Sequence, residues 1–168
     1  MFAAMQTTLF SEREGGETLE IACNLNVVLV FEDADAGKHA QAFYDHLRER
    51  LGTEFDFTRY QWSFSLLEDV HVREAAAHDA ATADIVIITT HGDAEIPDHV
   101  RTWFQAWVGR NASPMALVAL FDRPASRKEL RSELELIAQT GGIDFFAEPE
   151  NSPNHSRTEF IHRIVGKA

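Results

Sequence analysis

Val27-Val28-Leu29-Val30-Phe31 runs directly into Glu32-Asp33-Ala34-Asp35-Ala36-Gly37-Lys38, and this junction decides the fold. A short, unbroken apolar run reads as a strand buried on both faces, the mark of a parallel sheet. Three carboxylates within four residues then lead into a segment with Ala36, Ala40, Phe43, Leu47 and Leu51 at helical spacing, closed by Gly52. In an open α/β sheet the carboxyl ends of the strands form the ligand-binding edge. Any chemistry is therefore expected where strand gives way to acid.

Outward from this junction the chain alternates. Residues 54–62 place Phe55 and Phe57 on one face and Thr58, Tyr60 and Trp62 on the other, the pattern of an edge strand. An alanine-rich helix is expected over 67–82, and Ile85–Thr90 is the clearest buried strand. Pro97 suits the first turn of a third helix, whose stripe is Val100, Trp103, Phe104, Trp107 and Val108. The tryptophans read as core. Met115–Phe121 predicts a strand and 126–140 a helix with Leu130, Leu134 and Ile137 inward. Gly141-Gly142 ends that helix, Ile143–Ala147 predicts the last strand, and 156–165 a closing helix.

Strand and helix in this rhythm imply an α/β three-layer sandwich: a five-stranded parallel sheet, order 2-1-3-4-5, with helices on both faces. The expected organisation is one domain over 25–168, preceded by an N-terminal extension, 1–24. Gln6–Phe10 and Thr18–Ala22 could form a hairpin around Glu14-Gly15-Gly16-Glu17, or the segment could be a mobile arm.

At 168 residues the chain has the size of one ordinary domain, and 45% hydrophobic content suffices for a core. A formal net charge of −12 argues against nucleic acid and anionic lipid as partners. Arg123, Arg127, Lys128 and Arg131 make the strongest local basic run, which reads as a solvated helix face. Cys23, the only cysteine, allows no internal disulfide and no all-cysteine metal site. With no run of about 20 apolar residues and no basic n-region in Met1–Phe10, the expectation is a cytoplasmic protein with no membrane association.

Ala83–Ile88, Ile96-Pro97 and the helix of Val100–Trp107 resemble the third strand and following helix of flavodoxins. Ala116–Leu120, the next helix and Gly141–Pro149 resemble the second half of response-regulator receiver domains, and Glu32-Asp33 matches a receiver's acidic pair. The whole pattern is also similar to a family of uncharacterised bacterial proteins. These resemblances imply a flavodoxin-like fold over about 25–165. Flavodoxins hold the flavin phosphate in a Ser/Thr/Gly-rich loop after the first strand, where this chain has Glu32-Asp33-Ala34-Asp35. Receivers carry an aspartate where this chain has Thr89, Thr90 and His91, and a lysine where it has Glu148. The expectation is therefore no resident cofactor, no FMN and no aspartyl phosphorylation, with a divalent cation such as Mg²⁺ as the one alternative. Gly37-Lys38 lacks the earlier glycine and the following Ser/Thr of a P-loop.

The fold predicts a cleft drawing on Glu32, Asp33 and Asp35 from the first strand end, His91 and Asp93 from the third, and Asp122 and Arg123 from the fourth. Carboxylates with an imidazole suit a divalent cation and a polarised water, or a histidine base oriented by an acid. The competing explanation is structural: solvated strand ends, with Glu32 or Asp35 capping the first helix. Gly92 permits a turn that sets His91 at the mouth of the cleft. His71, Glu74 and His78 share a helix face without the spacing of a zinc motif, and read as an exposed polar face. The function expected from these residues is a non-catalytic regulatory or protein-interaction module. A partner protein or second copy would dock near Trp62 and Phe64. Metal-assisted hydrolysis by Glu32, Asp33, His91 and Asp122 is the alternative. An FMN or nucleotide protein with an atypical loop comes third.

Overall fold

The computed structural model describes residues 23–52, 55–110, 114–121 and 128–147. Within them β1 (Cys23–Phe31), β2 (Phe55–Ser63), β3 (Ile85–Thr90), β4 (Ala116–Phe121) and β5 (Asp144–Ala147) form one five-stranded sheet in the order β2-β1-β3-β4-β5. All four pairings are parallel. Helices α1 (Ala34–Leu51), α2 (Val70–Ala81), α3 (Asp98–Trp107) and α4 (Lys128–Gly141) are the crossovers, and a 3₁₀ turn, Ser65–Glu68, precedes α2.

Every residue of β3 and β4 is buried, which is why neither shows a polar alternation. Leu25, Val27, Leu29, Ile85, Ile87, Val118 and Leu120 meet Ala40, Phe43, Tyr44 and Leu47 of α1 on one face. Val28, Val30, Val86, Ile88, Leu117 and Ala119 meet α2, α3 and α4 on the other. Only alanines, Ala76, Ala77 and Ala80, face inward from the buried stripe of α2. The bulk on that side comes from Trp103, Phe104 and Trp107, with Trp103 and Trp107 ring centroids 5.4 Å apart. Small residues on one helix thus make room for large ones on its neighbour.

Several boundaries differ from those expected. Cys23 and Asn24, assigned above to the extension, belong to β1. The helix after β1 begins at Ala34 rather than Ala36, and its cap is Asp33, not Glu32 or Asp35. Asp69 caps α2 by accepting from His71 N and Val72 N, which splits the segment from Leu67 into a 3₁₀ turn and a helix. Pro97 stands at the cap position of α3 rather than inside its first turn. Phe64 is 5% exposed and Trp62 is partly buried against the core, so Phe64 itself offers no surface for docking; among the described residues the exposed large hydrophobics are Tyr60, Leu66, Val70 and Leu136. His71, Glu74 and His78 are exposed, as a polar face requires. No helix among the described residues is long and apolar enough to cross a membrane. Residues 1–22, residues 122–127 and the segment 156–165, for which a closing helix is expected, lie outside the described residues.

Phe43 is fully buried where α1 meets β1 and β3, whereas Leu136 is 62% exposed on α4. Phe43→Ala should therefore cost about 3–5 kcal/mol in urea unfolding, and Leu136→Ala less than about 0.5 kcal/mol. Equal effects would contradict the assignment of the core to that face.

Candidate functional site

The pairing of β1 with β3 runs in register from Val27↔Ile85 to Phe31↔Thr89. Glu32 N then donates to Thr89 O at 3.0 Å, carrying the ladder one step past the strand end. This registry sets Glu32 beside the turn after β3. Gly92 holds that turn at φ 87°, a backbone conformation that favours glycine, and Gly92 N donates to the Thr90 hydroxyl at 2.9 Å.

His91 is held through both its backbone and its ring. Its backbone N–H donates to Glu32 Oε1 at 3.0 Å, and its ring Nε2 lies 2.9 Å from Asp33 Oδ1 and 2.8 Å from Oδ2. An ionised carboxylate only accepts, so this ring nitrogen carries the proton. Asp33 Oδ1 also accepts from Ala36 N at 3.0 Å, the N-cap bond of α1. One side chain thereby ends the helix and ties it to β3. The bond from Ala36 N, and after it the one from His91, hold the Asp33 carboxyl below its ordinary value of 3.8. Gly37, which tempted a nucleotide-loop assignment, has a packing reason. A Cβ there would stand 3.0 Å from Cδ2 of the Phe31 ring, so the glycine lets the first turns of α1 settle onto β1.

Ligand atoms of Glu32, Asp33 and His91 lie within 4.8 Å of one another. Asp33 is 51% exposed in its side chain and His91 13%, so the group opens outward. Side chains two apart along a strand share a face, so Thr89 points to the α1 side like Ile85 and Ile87; it pairs with Phe31, whose ring packs against Gly37 in the first turns of α1. Its hydroxyl is buried and has no hydrogen-bond partner among the described residues. Of the seven expected cleft residues, Glu32, Asp33 and His91 converge. Asp35 on the first turn of α1 and Asp93 after β3 are exposed and stand outside the three-residue group. Asp122 and Arg123 lie outside the described residues.

One feature gave no signal in the sequence. Arg101 on α3 clasps Glu133 on α4 (Nε–Oε2 2.6 Å, Nη2–Oε1 3.2 Å) across a groove of about 540 Å³ whose walls include Phe104, Val108 and Ile137. The two partners are 32 positions apart, and nothing in either helix alone marks them as a pair.

No protein-family model matches this chain, and no curated protein does. Solved structures do. An NADH:FMN oxidoreductase in its apo form superposes with a TM-score of 0.60 at 14% identity, over 85% of this chain and 88% of that one. A short-chain flavodoxin associated with a bacterial microcompartment gives 0.53 at 10% identity, over 86% and 95%. The fold is flavodoxin-like. At these identities the likeness concerns the fold and says nothing of an uncharacterised bacterial family. It does overturn one expectation. The absence of any cofactor, and of FMN in particular, was inferred from the acidic β1–α1 turn. The solved structures similar to this chain are named for FMN and for flavodoxin, which conflicts with that expectation.

Asp33→Ala removes the cap and should cost about 1 kcal/mol of stability, whereas Asp33→Asn keeps an acceptor for Ala36 N and should cost clearly less. Because the folded-state pKa of Asp33 is depressed, the ionised group stabilises the fold above pH ~4 and loses that effect as pH falls through its folded value. The stability gap between the wild type and Asp33→Asn should therefore shrink below pH 4. Urea melts at pH 7, 4 and 3 check this, and a gap that widened in acid would refute it.

Proposed function

We propose that the protein is a flavodoxin-like binding module that takes a phosphate-bearing cofactor, FMN first among them, at the carboxyl edge of its sheet. The observation that carries this is the flavodoxin-like sheet, whose carboxyl edge lies at the β1 and β3 ends where Glu32, Asp33 and His91 converge. That is the place where open α/β sheets take ligands. The likeness to an FMN oxidoreductase and a flavodoxin supports the choice of cofactor class.

Electrostatics sets the terms on which such a ligand could enter. The amino end of α1, an 18-residue helix, favours an anion by about 0.3–1 kcal/mol, at most about 2. A carboxylate 4 Å from a phosphate opposes it by roughly 4 kcal/mol per unit charge at an effective dielectric of 20, and Glu32, Asp33 and Asp35 all stand at this turn. The helix alone does not outweigh them. His91 offsets Asp33 in part, through the proton it shares with that carboxylate. Metal-assisted hydrolysis draws on the same side chains, but one of its four residues, Asp122, lies outside the described part of the chain.

Titration of the purified protein into FMN, followed by quenching of flavin fluorescence, should show saturable one-to-one binding that inorganic phosphate competes away. No quenching with Kd below about 1 mM, the weakest affinity of interest at roughly −4 kcal/mol, would remove this function.

A further inference from the structure

We infer that Glu32, Asp33 and His91 form a site for a divalent transition-metal ion, of the Mn²⁺ or Zn²⁺ class, at the junction of β1, α1 and β3. Three observations carry it. The first is donor chemistry: one imidazole nitrogen and two carboxylates, with a ligand atom of each inside a 4.8 Å sphere. Oxygen-only sites suit Mg²⁺, whereas a nitrogen donor shifts preference toward first-row transition ions. This selects a different ion from the Mg²⁺ named on sequence grounds.

The second is distance. His91 Nε2 stands 2.8–2.9 Å from the two Asp33 oxygens. Two ligands at about 2.1 Å from a metal lie roughly 3.0 Å apart when adjacent in an octahedron and roughly 3.4 Å apart in a tetrahedron. An ion on the line of the present N–H would stand where the carboxylate is now, so Asp33 swings off that line to become an adjacent ligand when the ion replaces the proton. Glu32 Oε1 holds the His91 backbone N–H at 3.0 Å, which fixes the turn that carries the imidazole and leaves the second oxygen of Glu32 for the ion.

The third is the Thr89 hydroxyl. It is fully buried, lacks a partner among the described residues and lies on the α1 side of β3, two residues before His91 in the chain. A buried hydroxyl without a partner is costly unless something meets it. A water on the inner side of the ion would accept from or donate to it. Three protein donors leave further positions of the ion facing solvent, where Asp33 is exposed. An ion held there would reverse the local sign of charge and turn an edge that repels phosphate into one that receives it.

Isothermal titration with MnCl₂, ZnCl₂ and MgCl₂ tests the site directly. One Mn²⁺ or Zn²⁺ should bind per chain, at least tenfold tighter than Mg²⁺. Asp33→Asn, which keeps the helix cap, and His91→Gln should each weaken Mn²⁺ at least tenfold, and Thr89→Val severalfold, with melting temperatures showing all three folded. No binding, binding indifferent to Asp33→Asn and His91→Gln, or Mg²⁺ equal to Mn²⁺ would each overturn the inference. Repeating the FMN titration with and without Mn²⁺ separates it from the proposed function. Metal binding without FMN binding leaves the ion site standing alone. FMN binding with no metal affinity leaves the cofactor reading and removes the site.

Discussion

The parallel pairing of β1 with β3 is the constraint on which the rest depends. Its register, Val27↔Ile85 through Phe31↔Thr89, sets the central strands of the sheet, and both are sealed by helices. The same register carries Glu32 alongside the turn at His91. A slip of one residue would exchange the faces of every side chain on β3. It would place Ile88 where Ile87 now packs and take His91 away from Glu32. Core and site are therefore fixed together by one alignment.

Asp33 couples that alignment to α1. Its carboxylate accepts from Ala36 N as a helix cap and from the His91 ring N–H. A helix terminus needs such a partner because its first N–H groups have none within the helix. Here the partner reaches across to β3, so the local demand of one helix becomes a tertiary tie 58 residues long in sequence. This is also the source of the ambiguity in function. The group that would repel a bound phosphate is the group that finishes the helix, and a cation is the one kind of ligand that both uses Asp33 as a donor and offsets its charge.

Much of the fold was legible because burial on two faces leaves an unambiguous trace. Ile85–Thr90 and Ala116–Phe121 are buried throughout and read as largely apolar runs, and β2 reads as an edge because none of its residues is fully buried. The cap at Asp33 was harder to see. Glu32, Asp33 and Asp35 all lie within reach of a helix start, and only the extended backbone of Asp33, φ −155°, decides among them. Phe64 looked like surface because it follows an edge strand. The chain turns inward there instead, where Phe64 N donates to Phe31 O at 2.8 Å.

By itself the sequence determined the class of fold, the strand order and the edge at which polar residues gather. Each of these follows from hydrophobic period and the alternation of elements, which are local properties. Only the tertiary structure decided that Glu32, Asp33 and His91 form one group without Asp35 and Asp93, that Thr89 keeps a buried hydroxyl with no partner among the described residues, and that Arg101 reaches Glu133. Those facts depend on strand register, on the direction of single side chains and on the packing of one helix beside another. None of these leaves a periodic mark in the chain, because each is set by residues dozens of positions away.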